Sequence, residues 1–189
     1  MPKKETYITC LDGNIFEGMT SISAIIKKYD ENTNCQKINK VVVDKAKIKS
    51  KAREIAFLKR KSAEMGFEIE YSSGDEIDKL TTGNTHGGII ALCKPTVIPF
   101  LSDENCKIKP DGVYIMLDGI EDPYNFGYSL RSLYAMGCSG VVLTERNWMS
   151  AAGVVCRSSA GASEMFSIYK CAPTDAAKIF KSRGYSIVC

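Results

Sequence analysis

Val113–Leu117 (VYIML) is followed by the loop Asp118–Asn125 (DGIEDPYN), then by Phe126–Met136 (FGYSLRSLYAM) and Gly137. A continuous apolar run of this length suits a parallel strand covered on both faces. The loop is rich in turn formers. Phe126, Leu130 and Leu133 recur at helical spacing, and Gly137 closes the pattern. Strand, loop and helix in this order are the repeating unit of an α/β fold. The unit continues through Cys138–Leu143 (strand), Ala152–Ala160 (helix), Met165–Tyr169 (strand) and Asp175–Arg183 (helix), with Pro173 just before the last helix and Gly184 closing it. Tyr185–Cys189 reads as a last strand. A parallel sheet that ends on a bare strand looks unfinished, so the natural protein is expected to continue past Cys189.

Upstream the same alternation holds. Tyr7–Cys10 reads as a strand ended by the turn Asp12-Gly13, and Thr20 or Ser21 is placed to cap a helix through Ile22, Ile25, Ile26 and Tyr29. Asp30–Asn34 is a polar loop and Ile38–Val43 a β-branched strand. Ser50 is expected to cap a helix carrying Ile55, Phe57, Leu58 and Met65 that stops at Gly66. Phe67–Tyr71 alternates as a half-buried strand, Asp75–Leu80 is a short helical turn, and Gly88–Cys93 is a strand. Residues 95–112 hold Pro95, Pro99, Pro110 and the polar stretch SDENCKIKPDG, a linker composition. The reading is an α/β domain over 1–95, a linker over 96–112 with few fixing contacts, and a second α/β domain over 113–189.

Composition bounds the function. The 189 residues are 44% hydrophobic and 25% charged, the profile of a globular protein. No apolar run approaches the roughly 18 residues needed to span a bilayer, and no apolar segment follows the start Met1-Pro2-Lys3-Lys4 to make a secretory signal. The eight cysteines show no C-x₂-C pair and there is one His, so a metal site lacks its usual ligand pattern. The cysteines read as buried thiols of a reducing, cytoplasmic setting. Charge is unevenly spread: Lys37–Lys61 holds ten basic residues against Asp44 and Glu54, a net +8, while the whole chain carries +3. Such a block is either a solvated helix face or an electrostatic footprint for phosphates.

Three constellations could carry chemistry. Ligands of open α/β sheets bind at the carboxyl ends of strands, which directs attention to 118–136. There Asn125 stands at an N-cap position, and Arg131 has the small residues Gly127 and Ala135 four positions to either side, leaving room for a ligand beside a bidentate phosphate-binding fork. The bland alternative is a cap and a surface arginine. Ser158–Ala162 is a run of small residues that lets backbones pass closely. Ser159 is no nucleophile, since no G-x-S-x-G elbow surrounds it and His86 lies in the other domain. His86, before Gly87-Gly88, is either an RNA contact or a satisfied turn residue. The dinucleotide and P-loop fingerprints are missing.

On these segments the chain resembles the SpoU/TrmH family of RNA 2′-O-ribose methyltransferases, of the SPOUT superfamily. LDGIEDPYNFGYSLRS is similar to the family's first motif, RSSAGASEMFSI to its middle landmark, and THGGIIALC to the end of the small ribosomal-protein-like α/β RNA-binding domain carried in front by many members. Gly87 stands where members carry Gln. The resemblance implies an α/β catalytic domain with a C-terminal trefoil knot, S-adenosylmethionine as methyl donor, RNA as substrate and a homodimer. It places Asn125 and Arg131 on the motif's catalytic Asn and Arg. It suggests Lys45, Lys47, Lys49, Lys51, Arg53 and His86 as RNA contacts. The later motifs, which form the knot and most of the donor pocket, are expected beyond Cys189, so no donor-binding residue is assigned and the pocket is expected to be incomplete in this chain. The implied activity is ribose methylation, of ribosomal RNA in preference to transfer RNA, with a non-catalytic RNA-binding protein as the alternative.

Overall fold

The elements fall into two sheets in a computed structural model that describes residues 14–31, 38–81, 86–95, 98–104, 106–144 and 151–189. In the first sheet, β1 (Asn14–Glu17), β4 (Ile89–Cys93), β2 (Ile38–Asp44) and β3 (Glu68–Ser72) lie in the order β1-β4-β2-β3. β2 and β3 are parallel, and β4 is antiparallel to both β1 and β2. Helices α1 (Gly18–Glu31), α2 (Ala52–Met65) and α3 (Gly74–Asp78) connect them. Ile22, Ile25 and Ile26 of α1 are buried against Phe16, Val41 and Ala91 because helical spacing puts them on one face. The strand expected at Tyr7–Cys10 and the turn after it lie outside the described residues, as does most of the loop after Asp30.

The second sheet is β5 (Tyr114–Leu117), β6 (Gly140–Leu143) and β7 (Ser167–Lys170), all parallel, in that order. Its connections are α4 (Pro123–Ala135), then α5 (Ala152–Ser158) and α6 (Ala162–Met165), with α7 (Pro173–Ser182) following β7. β6 is central and wholly buried: Val141 and Leu143 face Phe126, Leu130 and Val155, while Val142 faces Tyr169, Ala176 and Phe180. β5, expected to be buried on both faces, is only half-buried because it forms an edge of the sheet.

Several expectations change. Ser50 does not cap α2: the N-cap is Lys51, with no side-chain bond, and the Ser50 hydroxyl donates instead to the Lys47 carbonyl at 3.1 Å. The Lys45–Lys47 3-10 turn, capped by Asp44, takes up the chain just before it. Tyr185–Cys189 is not a strand; Tyr185 packs its ring against Tyr114 and Phe180 and the residues beyond it are exposed. Nor does the stretch before β5 hang loose. Leu101 is fully buried beside Val142 and Phe180, and its N–H donates to the Lys170 carbonyl at 2.9 Å, so residues 99–101 run along the edge of β7. One apolar side chain in a polar segment is enough to dock it.

The two sheets share a contact through α5. Cys156 of α5 is buried in the core of the first sheet, and Arg157 forms an ion pair with Glu17 of β1. At Gly153 the helix meets β1 so closely that a Cβ would run into the Ile15 carbonyl oxygen. Alanine is otherwise favoured over glycine in a helix by about 1 kcal/mol. Gly153→Ala is nevertheless expected to destabilise the fold, by about 2–3 kcal/mol for overpacking, measured as a lower denaturant midpoint. An unchanged or raised midpoint would show that α5 does not touch β1.

Candidate functional site

α4 begins where the chain leaves the carboxyl end of β5. Asp122 is its N-cap, accepting from the Tyr124 N–H at 3.1 Å, and Pro123 occupies the first helical position, where a missing N–H costs nothing. Asn125 is therefore not the cap. It sits inside the first turn with an exposed side chain, and its carbonyl accepts from the Ser129 hydroxyl at 2.9 Å. Pro123 decides this, since its fixed φ starts the helix three residues earlier. In an α-helix six residues span about 9 Å along the axis and about 120° around it. No hydrogen bond joins Asn125 to Arg131 across that separation, so Asn125 does not hold the arginine's rotamer.

Arg131 is exposed and, among the described residues, has no ion pair. The space expected beside it at Gly127 is filled by protein: a Cβ there would lie 2.9 Å from the Val155 carbonyl oxygen and 2.8 Å from Ser158 Cβ. Gly127 lets α5 approach, not a ligand. On the other side, towards Ala135, Arg131 does face open space. It lines a cleft of about 360 Å³ with Ser23 and Lys27 of α1, Tyr134 of α4, and the turn from Ser159 to Ala162. Among the described residues no carboxylate lines this cleft. Its far wall is the end of α5, where the Gly161 N–H donates to the Cys156 carbonyl at 2.8 Å and the Ala160 N–H to the Arg157 carbonyl at 3.1 Å. This closure puts Ala160 at φ 54°, a left-handed conformation costing a non-glycine residue roughly 1–2 kcal/mol. Ser159 is buried, donating to the Cys156 carbonyl and accepting from the Ser163 N–H, a structural role. The contribution of α1 was not legible in the sequence, because nothing local relates residue 27 to residue 131.

The basic segment gathers at one end of the first sheet. Lys45, Lys47 and Lys49 are exposed on the 3-10 turn and the residues after it, and Arg53 is exposed at the start of α2. Among the described residues none of these four has an ion pair. Lys51 differs: its ammonium lies 3.0 Å from Glu54. The Glu54 carboxyl is held below its ordinary range, first by the N–H of its own residue and then by the Lys51 ammonium. The turn at 86–88 packs against this segment, with the Gly88 carbonyl accepting from the Asp44 N–H at 2.8 Å and Gly88 backed by Lys47. His86 lies in that turn and is 7% exposed. Its Nδ1 accepts from the Gly88 N–H at 3.0 Å, which leaves Nε2–H to donate to Asp78 at 2.7 Å. Both ring nitrogens are occupied.

A larger cleft, of about 760 Å³, lies between the docked segment and β7, where Asp103 and Glu104 outnumber the one cation, Lys107. Among the described residues the one buried side-chain polar atom without a partner is Ser163 Oγ, in the turn leading to the amino end of β7, whereas Asp118 at the carboxyl end of β5 is already bonded to Thr144. No group of three or more potential metal ligands occurs among the described residues. The six described cysteines are free thiols.

Residues 112–189 match the model of the SpoU rRNA Methylase family, and residues 17–97 match that of the RNA 2′-O ribose methyltransferase substrate-binding domain. A 23S rRNA (guanosine-2′-O-)-methyltransferase of Shewanella oneidensis is 29% identical over 113 residues, 59% of this chain and 46% of that protein. An uncharacterized tRNA/rRNA methyltransferase of Mycobacterium avium is 32% identical over 104 residues, 54% of this chain and 34% of the relative. The fold matches a crystal structure of an AdoMet-bound rRNA methyltransferase from Sinorhizobium meliloti with a TM-score of 0.64 at 20% identity, over 91% of this chain and 59% of that one. The chain belongs to the SpoU family of RNA methyltransferases. It spans a third to a half of the length of these two curated relatives.

The geometry of His86 makes a measurable claim. His86→Ala should cost about 1–3 kcal/mol, because it leaves the buried Gly88 N–H without its acceptor. Equilibrium unfolding would show it. A histidine whose role was to touch a ligand from the surface would cost within about 0.5 kcal/mol.

Proposed function

We propose that this protein transfers the methyl group of S-adenosylmethionine to a ribose 2′-hydroxyl of RNA, ribosomal RNA foremost. The observation that carries this reading is Arg131, an exposed cation on the wall of a cleft, with neither an ion pair nor a lining carboxylate among the described residues. A 2′-hydroxyl is a poor nucleophile and builds up negative charge as it loses its proton. A guanidinium is never neutral in a protein, so Arg131 does not take that proton. It holds the neighbouring phosphate with its planar fork and stabilises the developing alkoxide. The proton leaves to the phosphate or to water. Asn125 is exposed in the first turn of α4 and is not bonded to Arg131. No donor-binding residue is assigned, and no step is routed through one.

The first sheet and its helices form the ribosomal-protein-like RNA-binding domain in this reading, and residues 113–189 the first part of a knotted domain whose knot-forming segments lie outside these 189 residues. Lys45, Lys47, Lys49 and Arg53 supply sequence-independent contacts to RNA phosphates. Lys51 adds less because Glu54 already holds it, and His86 shapes the turn that backs Lys47. Homodimerisation and a cytoplasmic site of action belong to the same reading and rest on the family resemblance and the cysteine usage; no helix of the described residues is long and apolar enough to cross a membrane.

In the full-length protein that this reading implies, Arg131→Ala is expected to lower the single-turnover rate of labelled methyl transfer to RNA by something like 10²–10³-fold, by analogy with loss of one oxyanion donor, while stability changes by no more than about 0.5 kcal/mol. Arg131→Lys should rescue poorly, since a point charge lacks the bidentate fork. Retention of more than about a tenth of the rate by Arg131→Ala would remove the electrostatic role. A wild-type protein that binds RNA but transfers no methyl group would establish the binding-only alternative.

A further inference from the structure

We propose that Lys27 is a second phosphate-binding cation of the Arg131 cleft, so that the front RNA-binding domain supplies a side chain to the cleft where the arginine works. The inference rests on the reading of Arg131 given above and goes beyond it by naming a positioning residue from the other sheet's helices. Lys27 lies on α1 and Arg131 on α4, more than a hundred positions apart in sequence, yet both line one cleft of about 360 Å³.

The juxtaposition is built into the packing. A Cβ on Gly161 would sit 2.7 Å from Ala24 Cβ, so the turn after α5 lies directly on α1 one helical turn before Lys27. Cys156 is buried in the core that α1 covers, and the Arg157–Glu17 ion pair ties α5 to β1, which leads straight into α1. These contacts fix α1 beside α4 and set the width of the cleft.

Electrostatics then selects the ligand. Lys27 is exposed and, like Arg131, has no ion pair among the described residues. Two cations facing one cleft that no carboxylate lines among the described residues repel each other and favour an anion between them. The remaining lining is small or neutral: Ser23, Ala24, the Ser159–Ala162 turn, Met165 and the ring of Tyr134, which is held edge-on by Phe166 at 5.9 Å. An open, neutral-walled cleft with two cations fits the sugar–phosphate backbone, whose charges recur along a strand. Arg131 would hold the phosphate beside the reacting ribose, and Lys27 an adjacent one, fixing the register of the strand.

The test is RNA binding by the full chain, which needs no methyl donor. The probe is a fluorescein-labelled RNA hairpin with a single-stranded loop, titrated across a range of salt concentrations. Lys27→Ala is expected to weaken binding about 3- to 10-fold near 0.1 M salt and to reduce the slope of log K against log salt by about 1, the signature of one lost phosphate contact. Lys27→Arg should keep both affinity and slope, and Lys27→Gln, which keeps most of the stem, should behave as Lys27→Ala. Lys178→Ala removes one lysine from α7, outside the cleft, and should change neither; an equal loss in that variant would mean that only total charge matters and would overturn the proposal. An unchanged affinity and slope in Lys27→Ala would overturn it as well. Failure of the underlying reading looks different: wild-type protein would not bind the hairpin, or Arg131→Ala would transfer methyl groups at the wild-type rate. Competition with inorganic phosphate separates RNA from a free-anion site. Displacement of the hairpin by millimolar phosphate alone, at constant ionic strength, would assign the pair to a small anion and not to the strand.

Discussion

The arrangement depends on close backbone approach around α5. At Gly153 the helix lies against β1, at Gly127 of α4 it is met by the Val155 carbonyl and Ser158, and just after its end Gly161 lies against Ala24 of α1. Each contact leaves no room for a Cβ. Because interiors are close-packed and resist even small added volume, these positions hold two sheets and three helices in a single geometry. Everything chemically interesting in the second sheet is placed by that geometry, since α4 carries Arg131 and the turn after α5 forms the opposite wall of its cleft.

Charge divides the molecule into two surfaces of different character. The segment from Lys45 to Arg53 presents cations in open solvent at the end of the first sheet, where ionic strength screens them and any polyanion is met alike. The cleft at Arg131 is smaller and, among the described residues, lined by no carboxylate, so its cations act on whatever enters it at short range. The first surface suits capture and the second suits chemistry. Carboxylates are not scarce in the protein, but those near the basic segment are already engaged. Glu54 holds Lys51, and Glu76, held below its usual range first by the Ser72 hydroxyl and then by the Ser73 N–H, caps α3.

The left-handed Ala160 marks the site in a second way. A glycine would adopt that conformation without cost, yet the sequence places alanine before Gly161 in the closing turn of α5. Backbone strain of this kind persists where surrounding structure over-determines it and tends to cluster at working surfaces. Here the strained residue is exposed and lines the Arg131 cleft.

The sequence by itself determined the alternation of strands and helices, the parallel second sheet and the motif carrying Arg131, because hydrophobic periodicity and turn chemistry are local. VVVD and GVVL read as strands, and Ile22, Ile25 and Ile26 as one face of a helix, for that reason. It also determined that a basic segment runs from residue 37 to residue 61. Only the tertiary structure decided which of those cations are spoken for, that Asp122 and not Asn125 caps α4, and that Leu101 docks a stretch of linker composition. It alone decided that Gly127 admits a helix where a ligand had room on paper, and that Lys27 comes to face Arg131. These outcomes turn on what lies across the chain from a residue. Packing and charge pairing between segments far apart in sequence leave no periodic trace in either one.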